Sequence, residues 1–466
     1  MLGRKIICAR QGCRHVNDYF PLIDGSILAK LLLLRLNSAP SEEAPHLYAI
    51  DRIAQRVQEF SPGCIDIPQS SIREALLAAA VFHQGPLNAV KMIISDSRTC
   101  ERSEDVSTHI LAAVAFLGKL DIVASLLREG VDVNTNSEYF GSPLRAAAGR
   151  GHAQVVWLLL EHGASASNVG GRAAYCHGED TALQAASRRG DEAIVRLLLE
   201  PNYGLQTAGV AYDNAIMEAV RLGHANVVTC LLDKHNSANL GRLQSEMLLV
   251  ASRYGHIRLV QTILDNGINV NFRGNCDEHA LTEAAGGGHA LVVSLLLERG
   301  TLFNDDEYGN KGALNLAARC GHEDVVRVLL DNGADVNAES GSGFLNPLIE
   351  AVRSQNVGTM RLLLDRGADI NASECGEYAF SDAIIRGHTE VIRVLVKAGV
   401  DIDSTGYPEE PAPILSAMMY GEDRVVELLL ELGAKMVNPL TSRWAEEFLN
   451  GTYPKKIRDP PPLLRP

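Results

Sequence analysis

The 466-residue sequence is poor in aromatic residues, has fewer basic than acidic residues, and lacks a long uninterrupted apolar run. With aromatics at 5%, Leu, Ala and Val carry the apolar content, which favours short, repetitive helix packing over a large β-sandwich. The 46% hydrophobic content excludes a disordered chain. The 43 basic and 57 acidic residues give a formal charge of −14, which argues against direct nucleic-acid binding over the whole surface.

Paired cysteines and membrane-spanning segments are also missing from the pattern. The nine cysteines are an odd number without paired spacing, so we expect reduced thiols in an intracellular protein, cytoplasmic or nuclear. Cys8, Cys13 and His15 have no following CxxC partner, and no metal site is predicted. The apolar stretch Ile27–Leu36 contains Lys30 and Arg35 and is too short to span a bilayer, so no membrane contact is expected.

Catalytic motifs are absent as well. The chain has no GxxxxGK[ST] phosphate loop, no GxSxG elbow, no HExxH helix and no kinase-type HRD followed by DFG. No serine or cysteine stands in a pattern that suggests a nucleophile with a base and an orienting acid. The sequence therefore predicts a protein that is not an enzyme, with no cofactor and no small-molecule substrate.

What the sequence does contain is a repeat. A glycine, usually followed by histidine, ends an Ala-rich stretch again and again along the chain. Successive copies are 32–34 residues apart, except for one interval of 39. In one copy Gln355 stands in place of the glycine. We call these positions the turn residues. They are Gly85, Gly118, Gly151, Gly190, Gly223, Gly255, Gly288, Gly321, Gln355, Gly387 and Gly421. A second glycine follows twelve residues later in eight of the eleven copies, as at Gly163.

Each copy reads as two helices joined by the turn residue. In one copy, Leu144–Arg150 predicts a short Ala-rich helix, and Ala153–Glu161 predicts a second helix with its apolar residues at helical spacing. Gly163 then stands where a left-handed C-cap is expected. One pair cannot bury its own apolar stripe, so stability must come from stacking on neighbouring pairs. Six histidines follow a turn residue, and we expect all of them to be structural: His152, His224, His256, His289, His322 and His388.

These motifs resemble the ankyrin repeat family. The family's TPLH-like helix start is visible in Ser142-Pro-Leu-Arg and Thr181-Ala-Leu-Gln, and its GA-D-VN ending in Gly333–Asn337 and Gly367–Asn371. The resemblance covers about eleven copies over residues 72–435 and extends to fungal multi-repeat ankyrin proteins. It implies an all-α repeat solenoid, a stack of helix-turn-helix units with short β-hairpin-like fingers. The family's His at the fourth TPLH position is replaced by residues such as Arg145 and Gln184, which makes its usual hydrogen bonds uncertain.

The remaining segments fit the period less well. We expect residues 1–44 to be an N-terminal segment of unknown role, 45–71 a degenerate capping repeat, and 436–466 a C-terminal capping helix with a Pro-rich tail. The long interval places an insertion at Ser165–Asp180, which could be a binding edge or a tolerated surface loop. The match is weakest at residues 200–245.

The two positions before each turn residue are strongly biased. In the ankyrin family they end the first helix and face the concave groove. The twenty-two positions hold eight arginines and no acid, where the overall composition would give about two basic and 2.7 acidic residues. These arginines are Arg150, Arg188, Arg189, Arg221, Arg253, Arg319, Arg353 and Arg386, and Tyr254 and Tyr420 share the register.

Guanidinium groups with an occasional tyrosine suit an acidic or mixed-charge protein segment. An internal explanation stays open, since nearby finger acids could pair with the arginines instead. Those acids are Glu138, Asp180, Asp277, Asp305, Asp306 and Glu374. Trp157 could be an exposed anchor or could pack on the insertion.

The sequence thus predicts a non-catalytic scaffold or adaptor that binds a protein partner in the groove. The alternative is a regulatory factor, either associated with transcription or recruiting substrates to a ubiquitin ligase. Residues 1–40 lack a dense basic helix, however, and no F-box is recognisable. A third possibility is that the chain is the repeat portion of a longer gene product with a catalytic part elsewhere. The partner, the pathway and the oligomeric state do not follow from the residues.

Overall fold

The chain is described here from a computed structural model. The structure describes residue 55 and residues 107–137, 140–167, 181–236, 240–274, 278–302, 312–338, 346–370, 375–404 and 412–435. The N-terminal segment, the copy around Gly85, the C-terminal tail and, except for residue 55, the predicted capping repeat lie outside these ranges. The described chain is built of α-helices and forms two compact units, which divide between Leu240 and Gly241. The division falls within residues 200–245, where the repeat pattern is weakest.

The described part of the first unit, from residue 107 onward, contains four helix pairs. Its helices are α1 (Ser107–Leu117), α2 (Leu120–Arg128), α3 (Pro143–Arg150), α4 (Ala153–Glu161), α5 (Ala182–Arg189), α6 (Glu192–Leu198), α7 (Val210–Arg221) and α8 (Ala225–Leu232). A short 3₁₀ turn, Pro201–Tyr203, follows α6 where the regular C-cap glycine is missing. First helices pack against first helices and second against second, so the core lies between successive pairs.

The second unit continues the same pattern with six pairs among its described residues. Its helices are α9 (Leu240–Arg253), α10 (Ile257–Asp265), α11 (Ala280–Gly287), α12 (Ala290–Glu298), α13 (Gly312–Cys320), α14 (Glu323–Asp331), α15 (Pro347–Arg353), α16 (Val357–Asp365), α17 (Cys375–Ile385), α18 (Thr389–Lys397), α19 (Pro413–Tyr420) and α20 (Asp423–Glu431). The ten pairs of the two units correspond to ten of the eleven predicted copies. The predicted all-helical repeat architecture is confirmed. Within the described residues, finger pairing is limited to one bridge between Ser137 and Gly141.

The first helices begin where the TPLH-like motifs predict. The Ser142 hydroxyl accepts a hydrogen bond from the Arg145 backbone N–H, and Thr181 with Gln184 forms a capping box. Gln184 replaces the family's histidine, yet its Nε2 donates to the carbonyl of Ala211 in the next pair at 3.3 Å. The substitution at this position therefore changes the side chain but keeps a hydrogen bond between repeats.

The backbone at the turn residues explains their identity. All ten described turn residues have positive φ, including Gln355 at 62°, the one non-glycine residue with positive φ in the described chain. The glycines twelve residues later also have positive φ, between 80° for Gly267 and 99° for Gly399. A side chain is unfavourable in this left-handed region, which is why glycine recurs at both positions.

Histidines after the turn residues join successive repeats. The Nε2 atoms of His152, His224, His289 and His322 lie 3.0–3.1 Å from a backbone carbonyl 36 residues earlier, two positions before the preceding turn residue. Asn356 has the same role, since its Nδ2 donates to the carbonyls of Ala318 and Arg319. The repetition of this contact accounts for these histidines as structural residues.

Candidate protein-binding surface

The ten residues predicted to bind a partner all lie at the C-terminal ends of first helices or one residue beyond. Because first helices pack side by side within each unit, these positions form a row on one side of each unit. We call this side the first-helix face. Arg150, Arg221, Arg253 and Arg353 are the last residues of α3, α7, α9 and α15, while Arg386 follows α17.

In the first unit, one carboxylate binds two of these arginines. Glu218 of α7 accepts from the Nε of Arg188 at 3.4 Å and also pairs with Arg221, three residues further along its own helix. Arg188 belongs to the preceding repeat, so the contact crosses the interface between repeats. Glu218 is five residues before its turn residue Gly223, one helical turn before the positions that hold the arginines.

The second unit contains the same contact in the same register. The Nε of Arg253 donates to Glu283 of the next first helix at 2.6 Å, and its guanidinium also contacts Glu278 at 3.2 Å. Glu283 is again five residues before a turn residue. Since these groups are partly exposed, each pair is expected to contribute only about 0–1 kcal/mol to stability.

Other members of the row have weaker or more local partners. The Arg386 Nε donates to Asp382 at 2.7 Å within the same helical turn, and Arg189 is 3.9 Å from Asp191. The guanidinium carbon of Arg150 lies 4.8 Å from the centre of the Phe116 ring, a cation–π contact with the preceding repeat.

Arg319 and Arg353 differ from the rest of the row. Both are exposed, and within the described chain neither side chain has an ion-pair or hydrogen-bond partner. Glu350, which takes the register of Glu218 and Glu283, is 8% exposed and its carboxylate likewise has no partner there. These two arginines are therefore the members most available to an external anion.

The two tyrosines differ in accessibility. Tyr254 is half-buried and its ring stacks on His256 with the centroids 6.3 Å apart. Tyr420 is 58% exposed at the end of α19. Trp157, on the second helix α4, is 51% exposed, so its indole presents a large apolar surface to solvent.

None of the acids that pair with the row within the described residues is among the finger acids considered from the sequence. The finger acids Glu138, Asp180, Asp277, Asp305, Asp306 and Glu374 lie outside the described residues, as does most of the Ser165–Asp180 insertion. Within the described ranges, Glu218, Glu283 and Asp382 of the first helices, each five positions before a turn residue, pair with arginines of the row, and Glu278 and Asp191 also contact it. Counting acids five positions before each turn residue in the sequence would have revealed Glu218, Glu283 and Asp382.

A family model described as ankyrin repeats (3 copies) matches residues 109–208, 183–274, 248–340 and 348–439. These matches together cover more than half of the chain. The chain belongs to the ankyrin repeat family. Ankyrin repeats are protein–protein interaction modules and are generally non-catalytic, so the coarse prediction of a protein-binding repeat protein is confirmed.

Several characterised ankyrin proteins are similar to parts of this chain. The ankyrin repeat and KH domain-containing protein mask-1 of Caenorhabditis elegans is 29% identical over 224 residues, which are 46% of this chain and 8% of that protein. The human ankyrin repeat, SAM and basic leucine zipper domain-containing protein 1 is 33% identical over 116 residues, 24% of this chain and 23% of that protein. The aligned part of this chain thus spans less than a quarter of either relative.

A solved ankyrin structure is also similar. The crystal structure of the human ASB11 ankyrin repeat domain is 29% identical, with a TM-score of 0.40, and the alignment covers 48% of this chain and 98% of that one.

No group of three or more potential metal ligands occurs among the described residues, and no helix in those ranges is long and apolar enough to cross a membrane. Cys230 is buried, and its burial raises the pKa of the thiol, which disfavours the reactive thiolate. The cluster of Cys8, Cys13 and His15 lies outside the described residues.

Proposed function

We propose that this ankyrin protein is a non-catalytic scaffold or adaptor that holds a protein partner against its first-helix face. The observation that carries the proposal is the row of arginines at the ends of the first helices. Arg150, Arg319 and Arg353 are exposed and form no ion pair within the described chain. A guanidinium that is not already paired can form two parallel hydrogen bonds with a partner's carboxylate.

The same face also favours a partner of mixed charge over a purely acidic one. Glu218 in the first unit, and Glu283 and Asp382 in the second, each pair with arginines of the row in their own unit. A uniformly acidic segment would meet these carboxylates and be repelled by them, whereas a segment with both signs of charge can match each position.

The test compares charge reversal on the first-helix face with charge reversal on the second helices. The first variant carries Arg150→Glu, Arg319→Glu and Arg353→Glu on the first-helix face. The control carries Arg258→Glu, Arg327→Glu and Arg361→Glu, three exposed arginines on second helices, so both variants change the net charge equally. Tagged full-length chains are expressed in the source cells, and the co-purifying proteins are quantified by mass spectrometry.

We expect the first variant to lose the main co-purifying proteins and the control to retain them, with both chains keeping the helical circular dichroism of the parent. If both variants capture the same proteins in the same amounts, the first-helix face is not the binding surface and the proposal is wrong.

A further inference from the structure

An Arg–Glu–Arg arrangement occurs twice in the same repeat register. In the first unit it consists of Arg188, Glu218 and Arg221, and in the second unit of Arg319, Glu350 and Arg353. In both, the glutamate stands five residues before its turn residue and three residues before the second arginine. The two sets can therefore be compared position by position.

The two arrangements differ in their contacts. The first is closed, since Glu218 binds both Arg188 and Arg221. The second is open: Arg319 and Arg353 are exposed, Glu350 is 8% exposed, and no ion pair joins any two of them. An internal carboxylate already satisfies the cations of the first set, while those of the second set keep their hydrogen-bonding capacity for a ligand.

The surface beside the open set becomes apolar in the following repeats. Ile385 takes the register of Arg319 and Arg353 in the next repeat and is 38% exposed. Tyr420, one position further on in the last described repeat, is 58% exposed. Four successive first helices, α13, α15, α17 and α19, thus present two cations followed by two apolar side chains.

The spacing of these groups suits an extended peptide. Packed helices lie about 8–10 Å apart, so neighbouring members of the row are separated by roughly that distance. A polyproline II segment has three residues per turn and rises about 3.1 Å per residue, which places every third side chain on one side at intervals of about 9 Å. One side of such a segment can therefore contact one repeat after another.

We propose that the ends of α13, α15, α17 and α19 are a docking surface for an extended acidic–apolar segment of a partner protein. Carboxylates three residues apart bind Arg319 and Arg353, and apolar side chains at the next two intervals contact Ile385 and Tyr420. This assignment rests on the proposed function and names the chemistry of the one part of a mixed-charge partner that meets these four helices, where Arg319 and Arg353 have no ion pair within the described residues.

The experiment measures binding of two defined peptides to the full chain by fluorescence anisotropy. One is labelled Glu-Pro-Thr-Glu-Pro-Thr-Leu-Pro-Thr-Phe, and the other has the reverse order, because the row does not fix the direction of the segment. We expect one of them to bind, and Arg319→Glu with Arg353→Glu to weaken that affinity at least about tenfold. Ile385→Ser with Tyr420→Ser should weaken it about threefold or more, since two apolar contacts are lost.

The matched control carries Arg327→Glu and Arg361→Glu, on the second helices of the same two repeats, and should stay within about twofold of the parent. A labelled single-stranded oligonucleotide of similar charge tests for general polyanion binding. Absence of binding by both peptides, equal loss in the control, or equally tight binding of the oligonucleotide would each overturn the docking surface. If the first-helix variants lose co-purifying proteins while neither peptide binds, the proposed function stands and only this assignment falls.

Discussion

The Nε2 atom of His152 lies 3.0 Å from the carbonyl oxygen of Phe116, 36 residues earlier in the preceding repeat. For this contact to be a hydrogen bond, the imidazole must donate its Nε2 proton to the carbonyl. The same geometry recurs at His224, His289 and His322, so one contact type joins repeats in both units.

Removing the hydrogen bond of His152 should lower the free energy of unfolding more than replacing the imidazole with another hydrogen-bond donor. We expect His152→Ala to lower the free energy of unfolding by about 1–2 kcal/mol, since the Phe116 carbonyl loses its donor. His152→Asn should cost less than half of that, because Asn356 makes the equivalent bond in a later repeat. Urea unfolding followed by circular dichroism measures both. His162→Ala is the control, since within the described residues the His162 ring hydrogen-bonds only to the Leu158 carbonyl in the helix that His162 caps. Equal losses in the Ala and Asn variants would contradict the donor role.

Stability should fall on mild acidification. Burial lowers the pKa of His152, His289 and His388 below the usual 6.5, because desolvation disfavours the charged imidazolium. At pH values between these lowered pKa values and 6.5, the three histidines bind protons in the unfolded chain that they do not bind in the folded chain. The contribution of these neutral histidines to the free energy of unfolding is therefore fully present above about pH 6.5. It is lost as the pH falls through their pKa values in the folded chain.

The measurement is the urea midpoint of the full chain at pH 7.5, 6.5 and 5.5. We expect a progressive decrease in the parent and a smaller one in the variant with Asn at positions 152, 289 and 388. Carboxylates titrate mostly lower, near pH 4, and so contribute little in this range. A parent midpoint that does not change between pH 7.5 and 5.5 would show that these histidines do not govern the response.

The two glycines that flank α12 should tolerate substitution differently. Both have positive φ, 79° at Gly288 and 85° at Gly300. A Cβ at Gly288 would be 2.7 Å from Nδ1 of His322, whereas a Cβ at Gly300 would have nothing within 4 Å. Gly300→Ala should cost about 1–2 kcal/mol for the backbone alone. Gly288→Ala should cost about 1–3 kcal/mol more, from the overlap with His322.

A double-mutant cycle separates the two causes. With His322→Ala in the background, the excess cost of Gly288→Ala should disappear, leaving the backbone cost that Gly300→Ala reports. Fully additive effects in this cycle would mean that the imidazole is not the obstacle.

Gln355 offers an opportunity for stabilisation. It is the turn residue with φ of 62° and a side chain, where nine other described repeats have glycine. Gln355→Gly relieves a strain of about 1–2 kcal/mol but adds about 0.5–1 kcal/mol of unfolded-state entropy, so we expect a net gain of about 0–1.5 kcal/mol. Gln261→Gly, in the exposed middle of α10, should instead destabilise by about 1 kcal/mol. A lower urea midpoint for the Gln355 variant would contradict the strain.

The local structure of this chain follows closely from its sequence. The turn at Gly151 and the two helices around it begin and end within a few residues of their predicted positions, because caps, glycines and apolar spacing act over one or two helical turns. The left-handed backbone at Gln355 was also foreseeable, since it occupies a glycine register. The first predicted copy, the ends and the insertion stay predictions, as they lie outside the described residues.

The binding row could be predicted only in part. The sequence placed Arg188 and Arg319 in the same register, and by itself it gave no reason to treat them differently. In the structure Arg188 binds Glu218 of the following repeat, while Arg319 is exposed and has no ion pair within the described residues, and Glu350 is buried. That difference depends on contacts between residues about 30 positions apart in the chain. It also depends on whether the arginine side chains reach the carboxylate in their register, as Arg188 reaches Glu218.

The sequence alone determined the repeat period, the helix pairs, the ankyrin family resemblance and the shortage of basic residues overall. Only the tertiary structure decided which arginines are neutralised. Helix formation and turn geometry depend on neighbours within a few residues, so they can be seen in the chain itself. Charge pairing across repeats depends on side-chain reach and burial at an interface between helices, and these exist only after the repeats have stacked.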